Sequence, residues 1–476
     1  MRRTWSKGLN VVSTSPASQV AAPSLPRKCP QALRNMELGF LVFAMVLVTA
    51  ALLQVQLGVT GEFDVRVLVL LGSVAVLMFG MHIVLRFRAP QADPFLLPIA
   101  TTINGLGITM IYRLDLVSEA AKEARINSST AQIIYTALAV AVAIGVLFLL
   151  RNHRILQRYT YLCGLAALVL LLLPMIPGLG VSDASARVWI SVAGFNFQPG
   201  EIAKIALAVF FAGYLVTARD SLSMVSRKFL GLRLPRMRDL GPILVVWAVC
   251  MAILVLQRDL GTSLLYYGLF LVMIFVATGR LSWVLIGVGL FIGGGVLLAT
   301  SWGYVQRRME AWLNPFDPEL YDSVGGSYQL VHGLFGLGNG GLIGKGLGQG
   351  HPNLTPVAES DFIIAALGEE LGLAGLFAIL ALYLILIARG LRIGHTGGDD
   401  FGRLLATGLS FILAIQVFIV VGGVTRVIPL TGLTTPFLAA GGSSLIANWI
   451  IVAILLRLSD TIRRNDTGPV TTGGAA

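Results

Sequence analysis

Apolar runs of about 20 residues, separated by polar breaks, recur between residues 37 and 456. Each is long enough for one crossing, because a helix rising 1.5 Å per residue needs about 20 residues to span a ~30 Å hydrocarbon layer. The pattern predicts twelve membrane helices near 37–57, 67–86, 94–112, 131–150, 158–176, 199–217, 240–257, 261–279, 282–301, 361–388, 404–424 and 434–456. Gly, Pro or acidic residues interrupt the third, eighth and tenth runs. One stretch breaks the pattern: 302–360 is polar, Gly-rich and much longer than an ordinary connection. Its aromatic residues (Trp302, Tyr304, Trp312, Phe316, Tyr321, Tyr328) argue against disorder.

Composition agrees with an all-α polytopic membrane protein. Of 476 residues, 56% are hydrophobic and only 12% charged, and the mean hydropathy is +0.81, which excludes an ordinary soluble globular chain. The net charge of +11 therefore reads as topology and attraction to anionic lipid, not as nucleic-acid binding. With both termini cytoplasmic, 24 Lys and Arg fall on inside segments and 10 on outside ones, Lys204 lying within a span. That bias favours the orientation that puts 302–360 outside the cytoplasm. Segment 1–36 reads as a disordered cytoplasmic tail and 461–476 as a second tail. Cys29, Cys163 and Cys250 are odd in number and far apart, so neither a disulfide framework nor a metal spacing is suggested.

Ionisable residues at membrane depth point to function. In SARVWISVAGFNFQPGEIAK (185–204), Pro199 suits a first helical turn and Glu201 sits in that turn, with Lys204 three residues on. This is either a capped helix with a local ion pair or a cation held under the outer surface to meet a phosphate. In QRDLGTS (257–263), Asp259 is placed to cap the following helix. Asp361 opens the tenth span, with Glu369 and Glu370 two turns deeper. These two are a proton relay or structural carboxylates meeting Arg residues of neighbouring helices. TTPFLAAGGSSLIANW (434–449) opens the last span with small residues that allow close approach. The 302–360 stretch carries Asp317, Glu319 and Asp322, a basic pair (Arg307, Arg308) and a glycine run. That run is not a phosphate-binding P-loop: Asn339 stands where the first Gly is needed and Gly346 where Ser or Thr is needed.

Taken in order, ARVWI with QPGEIAK, QRDLGTS, NPFDPELYDSVGGSYQ, ESDFIIAALGEELG and TPFLAAGGSS resemble the SEDS family (shape, elongation, division and sporulation) typified by RodA and FtsW. The resemblance covers roughly 94–460, so residues 37–93 are two additional N-terminal helices. It implies a membrane glycosyltransferase that polymerises lipid II into peptidoglycan on the outer face of the cytoplasmic membrane, with motif wording nearer the elongation branch. It also implies a class B penicillin-binding protein as transpeptidase partner, and admits a divalent cation, Mg2+ or Mn2+, with no ligand set assigned. The family's reacting Asp stands just before a short Gly-rich turn and Tyr-Gln, which here is Asp322 before SVGGSYQ and not Asp317. Implied substrate contacts are Lys204, Arg187, Trp189, Gln257, Arg258, Tyr328, Gln329, Ser443 and Ser444. Implied structural supports are Glu201, Asp259, Asp361, Glu369 and Glu370. The chain departs from the family at Val188, which separates Arg187 from Trp189, and at Gly200, Arg258 and Ala440. The rival classes are a flippase for lipid-linked precursors, which calls for midplane charges and internal repeats, and a non-catalytic cell-wall scaffold.

Overall fold

A computed structural model describes residues 29–118, 127–181, 187–192, 195–223, 227–229, 232–234, 237–323, 326–396 and 399–466. Most of both expected tails, 1–28 and 467–476, lies outside the described residues; 30–36 and 461–466 are helical. The helices are α1 Pro30–Thr60, α2 Arg66–Arg88, α3 Leu96–Val117, α4 Ser128–Leu149, α5 Arg154–Arg158, α6 Thr160–Leu172, α7 Pro199–Ser223 and α8 Met237–Leu256. They continue as α9 Leu260–Thr278, α10 Leu281–Ser301, α11 Gly303–Leu313, α12 Pro318–Tyr321, α13 Tyr328–Gly340, α14 Ile363–Thr396, α15 Asp400–Val424 and α16 Gly442–Asp466.

Among the described residues nine helices are long and apolar enough to cross a membrane, against the twelve expected. The other three expected runs are helical as well. Two are shorter apolar helices, Thr160–Met175 and Leu244–Leu256. The third, α3, is rich in Thr, Asn and Gly yet is buried continuously from Leu96 to Asp115. A helix walled by protein on every side need not be apolar, which is why hydropathy reads it weakly. At the other extreme, only 6% of the apolar window of α10 is buried, whereas α15 and α16 reach 72% and 83% and form the centre.

Three local departures matter for the site. The tenth span is broken at Gly372 (φ 68°, ψ −173°), so α14 is two helices with one backbone kink. The last span begins at Gly442, not 434: residues 426–441 form a non-helical segment. And 302–360 is not a bare loop but carries α11, α12 and α13. Two small antiparallel sheets are also present. One, Gly180–Val181, Trp189–Val192 and Phe195–Phe197, precedes α7, and the other is the hairpin Arg227–Phe229 with Leu232–Leu234.

Candidate active site

The non-helical segment before α16 descends into the bundle from the face that bears 302–360. Gly107 packs so closely on the Leu438 backbone that no Cβ fits between them. Gly107 lies ten residues from the end of α3, a depth of about 15 Å at 1.5 Å per residue. Non-helical backbone at such depth persists only where protein satisfies its polar groups. Here Gln416 Nε2 donates to the Thr434 carbonyl (2.9 Å), Gln132 Nε2 to Ala439 (3.1 Å) and the Ala440 N–H to Glu359 (2.8 Å). Tyr383 OH donates to the Pro436 carbonyl, and buried Phe437, held at φ 63°, meets Trp449 edge-on at 5.7 Å.

This segment gathers the motifs. Ser443 Oγ accepts from the Gln198 N–H (2.9 Å), tying QPGEIAK to GGSS. The Lys204 ammonium donates to Glu201 (2.5 Å), Gln416 (2.9 Å) and Asn448 (3.5 Å), and Asn448 in turn donates to Ser444 (3.2 Å). Lys204 is 1% exposed. Its three donors are engaged with protein acceptors, so the ammonium lies at the floor of the site, pointing into the protein. Gln257 is buried with its amide on the Leu171 carbonyl (2.5 Å), and Asp259 caps α9 through the Thr262 N–H (2.9 Å). Gly261 abuts Thr431 and Leu433, which brings QRDLGTS against the same segment.

The rim carries exposed cations. Arg187 and Arg258 are exposed, and the Arg187 N–H donates to the Gln257 carbonyl (3.2 Å). Arg258 sits at φ 61°. All four non-Gly residues with positive φ among those described, Arg258, Val357, Arg426 and Phe437, fall on connectors of this face. Strain of this kind concentrates where geometry serves function. Trp189 lies half-buried in the small sheet.

Above the rim, α11 is clamped to residues 426–430. Arg308 donates to the Leu430 carbonyl (2.7 Å), Arg426 to Trp312 (2.8 Å) and Leu313 (2.9 Å), and Trp312 Nε1 to Arg426 (3.0 Å). The two loop acids differ. Asp317 caps α12, its Oδ1 accepting from the Glu319 N–H (3.0 Å). Asp322 follows the last residue of that turn, is exposed, and among the described residues its carboxylate has no hydrogen-bond partner. Next to it Tyr321 bonds His332 (3.2 Å), and the Tyr328 ring lies 5.1 Å from Tyr321 and 4.3 Å from His332. Gln329 donates to the Pro356 carbonyl (2.9 Å). Asp361, near Gly432, takes a bond from Ser360 (3.4 Å).

Glu369 and Glu370 organise the glycine run. Arg113 pairs with Glu370 (2.9 Å) and donates to the Gly350 carbonyl (2.8 Å), while the Gly348 N–H donates to Glu370 (2.9 Å). Glu369 accepts from Asn339 (2.9 Å) and the His351 N–H (3.0 Å). The residues that sequence reasoning missed, Gln132, Gln416, Asn448 and Arg113, are uncharged polar groups inside apolar runs or an Arg at a span end. Their signal was isolated polarity at membrane depth. A small apolar cavity between α8, α9 and α10, bordered by Trp247, Tyr267 and Trp283, has no Asp, Glu, Lys, Arg or His in its lining.

Fold and site together define a multi-pass membrane protein with a polar floor sunk beneath one face and an acid-bearing cap above it. The sequence matches the FTSW_RODA_SPOVE family, described as cell cycle protein, over residues 94–464. It is 46% identical over 473 residues to the peptidoglycan glycosyltransferase RodA of Mycobacterium tuberculosis, covering 96% of this chain and 97% of that one. It is 35% identical over 374 residues to a probable peptidoglycan glycosyltransferase FtsW of Geobacter metallireducens, covering 78% and 95%. A solved chain of a peptidoglycan synthase complex that coordinates polymerization and crosslinking aligns at 25% identity with a TM-score of 0.59, covering 78% of this chain and 98% of that chain. The chain therefore belongs to the FTSW_RODA_SPOVE family and is a peptidoglycan glycosyltransferase.

Proposed function

We propose that the chain polymerises lipid II into glycan strands on the outer face of the cytoplasmic membrane, for cell elongation and shape, with Asp322 as the general base. The acceptor sugar hydroxyl gives its proton to the Asp322 carboxylate as its oxygen bonds the donor's anomeric carbon. The bond from that carbon to the undecaprenyl pyrophosphate breaks with inversion, and the leaving oxygen keeps the electron pair. A pyrophosphate needs no strong acid to leave, so one positioned base is sufficient. The observation that carries this reading is the contrast between Asp317, whose carboxylate caps a helical turn, and Asp322, which is exposed and whose carboxylate has no hydrogen-bond partner among the described residues. Exposed Arg187 and Arg258 at the rim would offset charge growing on the pyrophosphate. The Lys204 floor would fix the shape beneath it.

Among the described residues no group of three or more His, Cys, Asp or Glu could hold a metal ion. A divalent ion, Mg2+ or Mn2+, would instead draw most of its ligands from pyrophosphate oxygens and water. A class B penicillin-binding protein is the proposed partner, supported by the peptidoglycan synthase complex to which the chain is similar. Both termini would be cytoplasmic. The test is purified protein with lipid II and no other polymerase. Glycan ladders are expected from the parent and from Asp317→Asn, and a loss of about 10²–10⁴-fold from Asp322→Asn. A full-rate Asp322→Asn, or a label that crosses leaflets without polymer, would sink the assignment.

A further inference from the structure

The two N-terminal helices lie outside the 94–464 family match, yet α1 touches the segment that leads to the proposed base. The glycine run rests on its end. Gln349 Nε2 donates to the Gly58 carbonyl (3.1 Å). A Cβ on Gly58 would stand 2.9 Å from the Leu347 carbonyl oxygen, and one on Gly348 would stand 3.1 Å from the Val55 carbonyl oxygen. The opposite side of the same turn is held by Glu370 and Arg113. The run is thus gripped between α1, α3 and α14, and only Gly at position 58 lets the backbones meet so closely. From there the chain leads back into α13, whose Tyr328 ring packs on Tyr321 beside Asp322. α1 itself is anchored independently: Tyr112 OH bonds Gln56, and Val48 fills the notch at Gly105.

We infer that α1 is a built-in buttress for the external segment and that Gly58 is a positioning residue for polymerisation. The helix sets the height of the 341–351 turn, and through α13 it sets the placement of the reacting carboxylate. The inference rests on the reading of Asp322 as the base, but its first readout is the turn itself. Displacing a reacting group by about 1 Å can lower a rate about 10²-fold. A purely positional loss should lower kcat and kcat/KM together, leaving KM for lipid II unchanged.

The experiment uses the full chain with lipid II and the series Gly58→Ala, Gly58→Val and Gly58→Leu. Gly39→Leu on the same helix is the control, because nothing lies within 4 Å of a Cβ there. Expected are a kcat that falls with side-chain size, reaching about tenfold to a hundredfold at Leu, unchanged KM, and faster amide exchange confined to 341–351. Gly39→Leu should match the parent. If Gly58→Leu does not fold, Gln349→Ala, which removes one exposed bond, carries the same reading through exchange and kcat. Parental kcat and parental exchange in these variants overturn the inference, and so does an equal loss in Gly39→Leu. Asp322→Asn is measured alongside. Its full activity would remove the base assignment, while exchange in the Gly58 series would still report whether α1 holds the turn.

Discussion

At the scale of single residues, the site separates groups that react from groups that hold. Lys204 and Glu201 are 1% and 4% exposed and paired at 2.5 Å. Removing one member of a buried pair leaves an uncompensated charge and typically costs about 3–5 kcal/mol. Lys204→Met should therefore lower the melting temperature in detergent strongly, and adding Glu201→Gln should recover part of the loss. Lost activity without any lost stability would instead return Lys204 to direct substrate contact. The sequence made the Glu201–Lys204 spacing legible, because residues three apart share a helix face. It could not supply Gln416 and Asn448, which lie 212 and 244 positions away from Lys204. Those acceptors decide that the ammonium points into the protein. The choice of Asp322 over Asp317 came from resemblance, and the cap at Asp317 adds a physical reason that spacing alone did not contain.

At the scale of elements, the informative features are interruptions. Gly372 sits at φ 68° with the backbone of Gly344 against it, and Leu373 and Ala374 donate to the Gly341 and Leu342 carbonyls (both 3.0 Å). The break in α14 thus exchanges helical bonds for bonds to the glycine run. Gly372→Ala would demand a left-handed residue and push a Cβ into backbone. It should abolish ladder formation with α14 still inserted, read as faster amide exchange at 341–346 and 372–374. Hydropathy showed the tenth run as weak but could not locate this kink. It likewise extended the last span over 434–441, because small apolar residues look the same in a helix and in a re-entrant segment. At the other face Asp399 caps α15 through Gly402 and bonds His153 (2.9 Å). The bond to His153 holds its carboxyl below the ordinary range, with the Gly402 N–H and Arg154 adding to it against burial. A depressed folded pKa gives stability that is present above the unfolded value, about 3.9, and is lost as pH falls through the folded one. The parent should exceed Asp399→Asn in melting temperature at neutral pH, and the gap should close below about pH 4. A gap that widens in acid would contradict the pairing.

At the scale of the whole molecule, the two faces differ in what their charges do. On the face away from 302–360, Asp93 takes Arg389 (2.6 Å) and Arg463 (3.1 Å), and Arg457 donates to the Leu150 and Arg88 carbonyls (2.5 and 2.7 Å). Arg34 pairs with Glu37 (2.6 Å), which also meets His82 (2.6 Å). These cations knit the ends of α1, α2, α4, α14 and α16 together, and they are part of the basic bias read from sequence. On the other face, Arg187 and Arg258 are exposed, with no ion-pair partner among the described residues. Cation excess marks the cytoplasmic side, so residue 322 should face outward. In a chain stripped of Cys29, Cys163 and Cys250, a membrane-impermeant maleimide applied to intact cells should label Asp322→Cys and spare Arg86→Cys, which is exposed at the knitted face. Permeabilisation should expose the second site and leave the first unchanged. The reverse pattern would place the acid-bearing cap in the cytosol, and no glycan strand could then be built there.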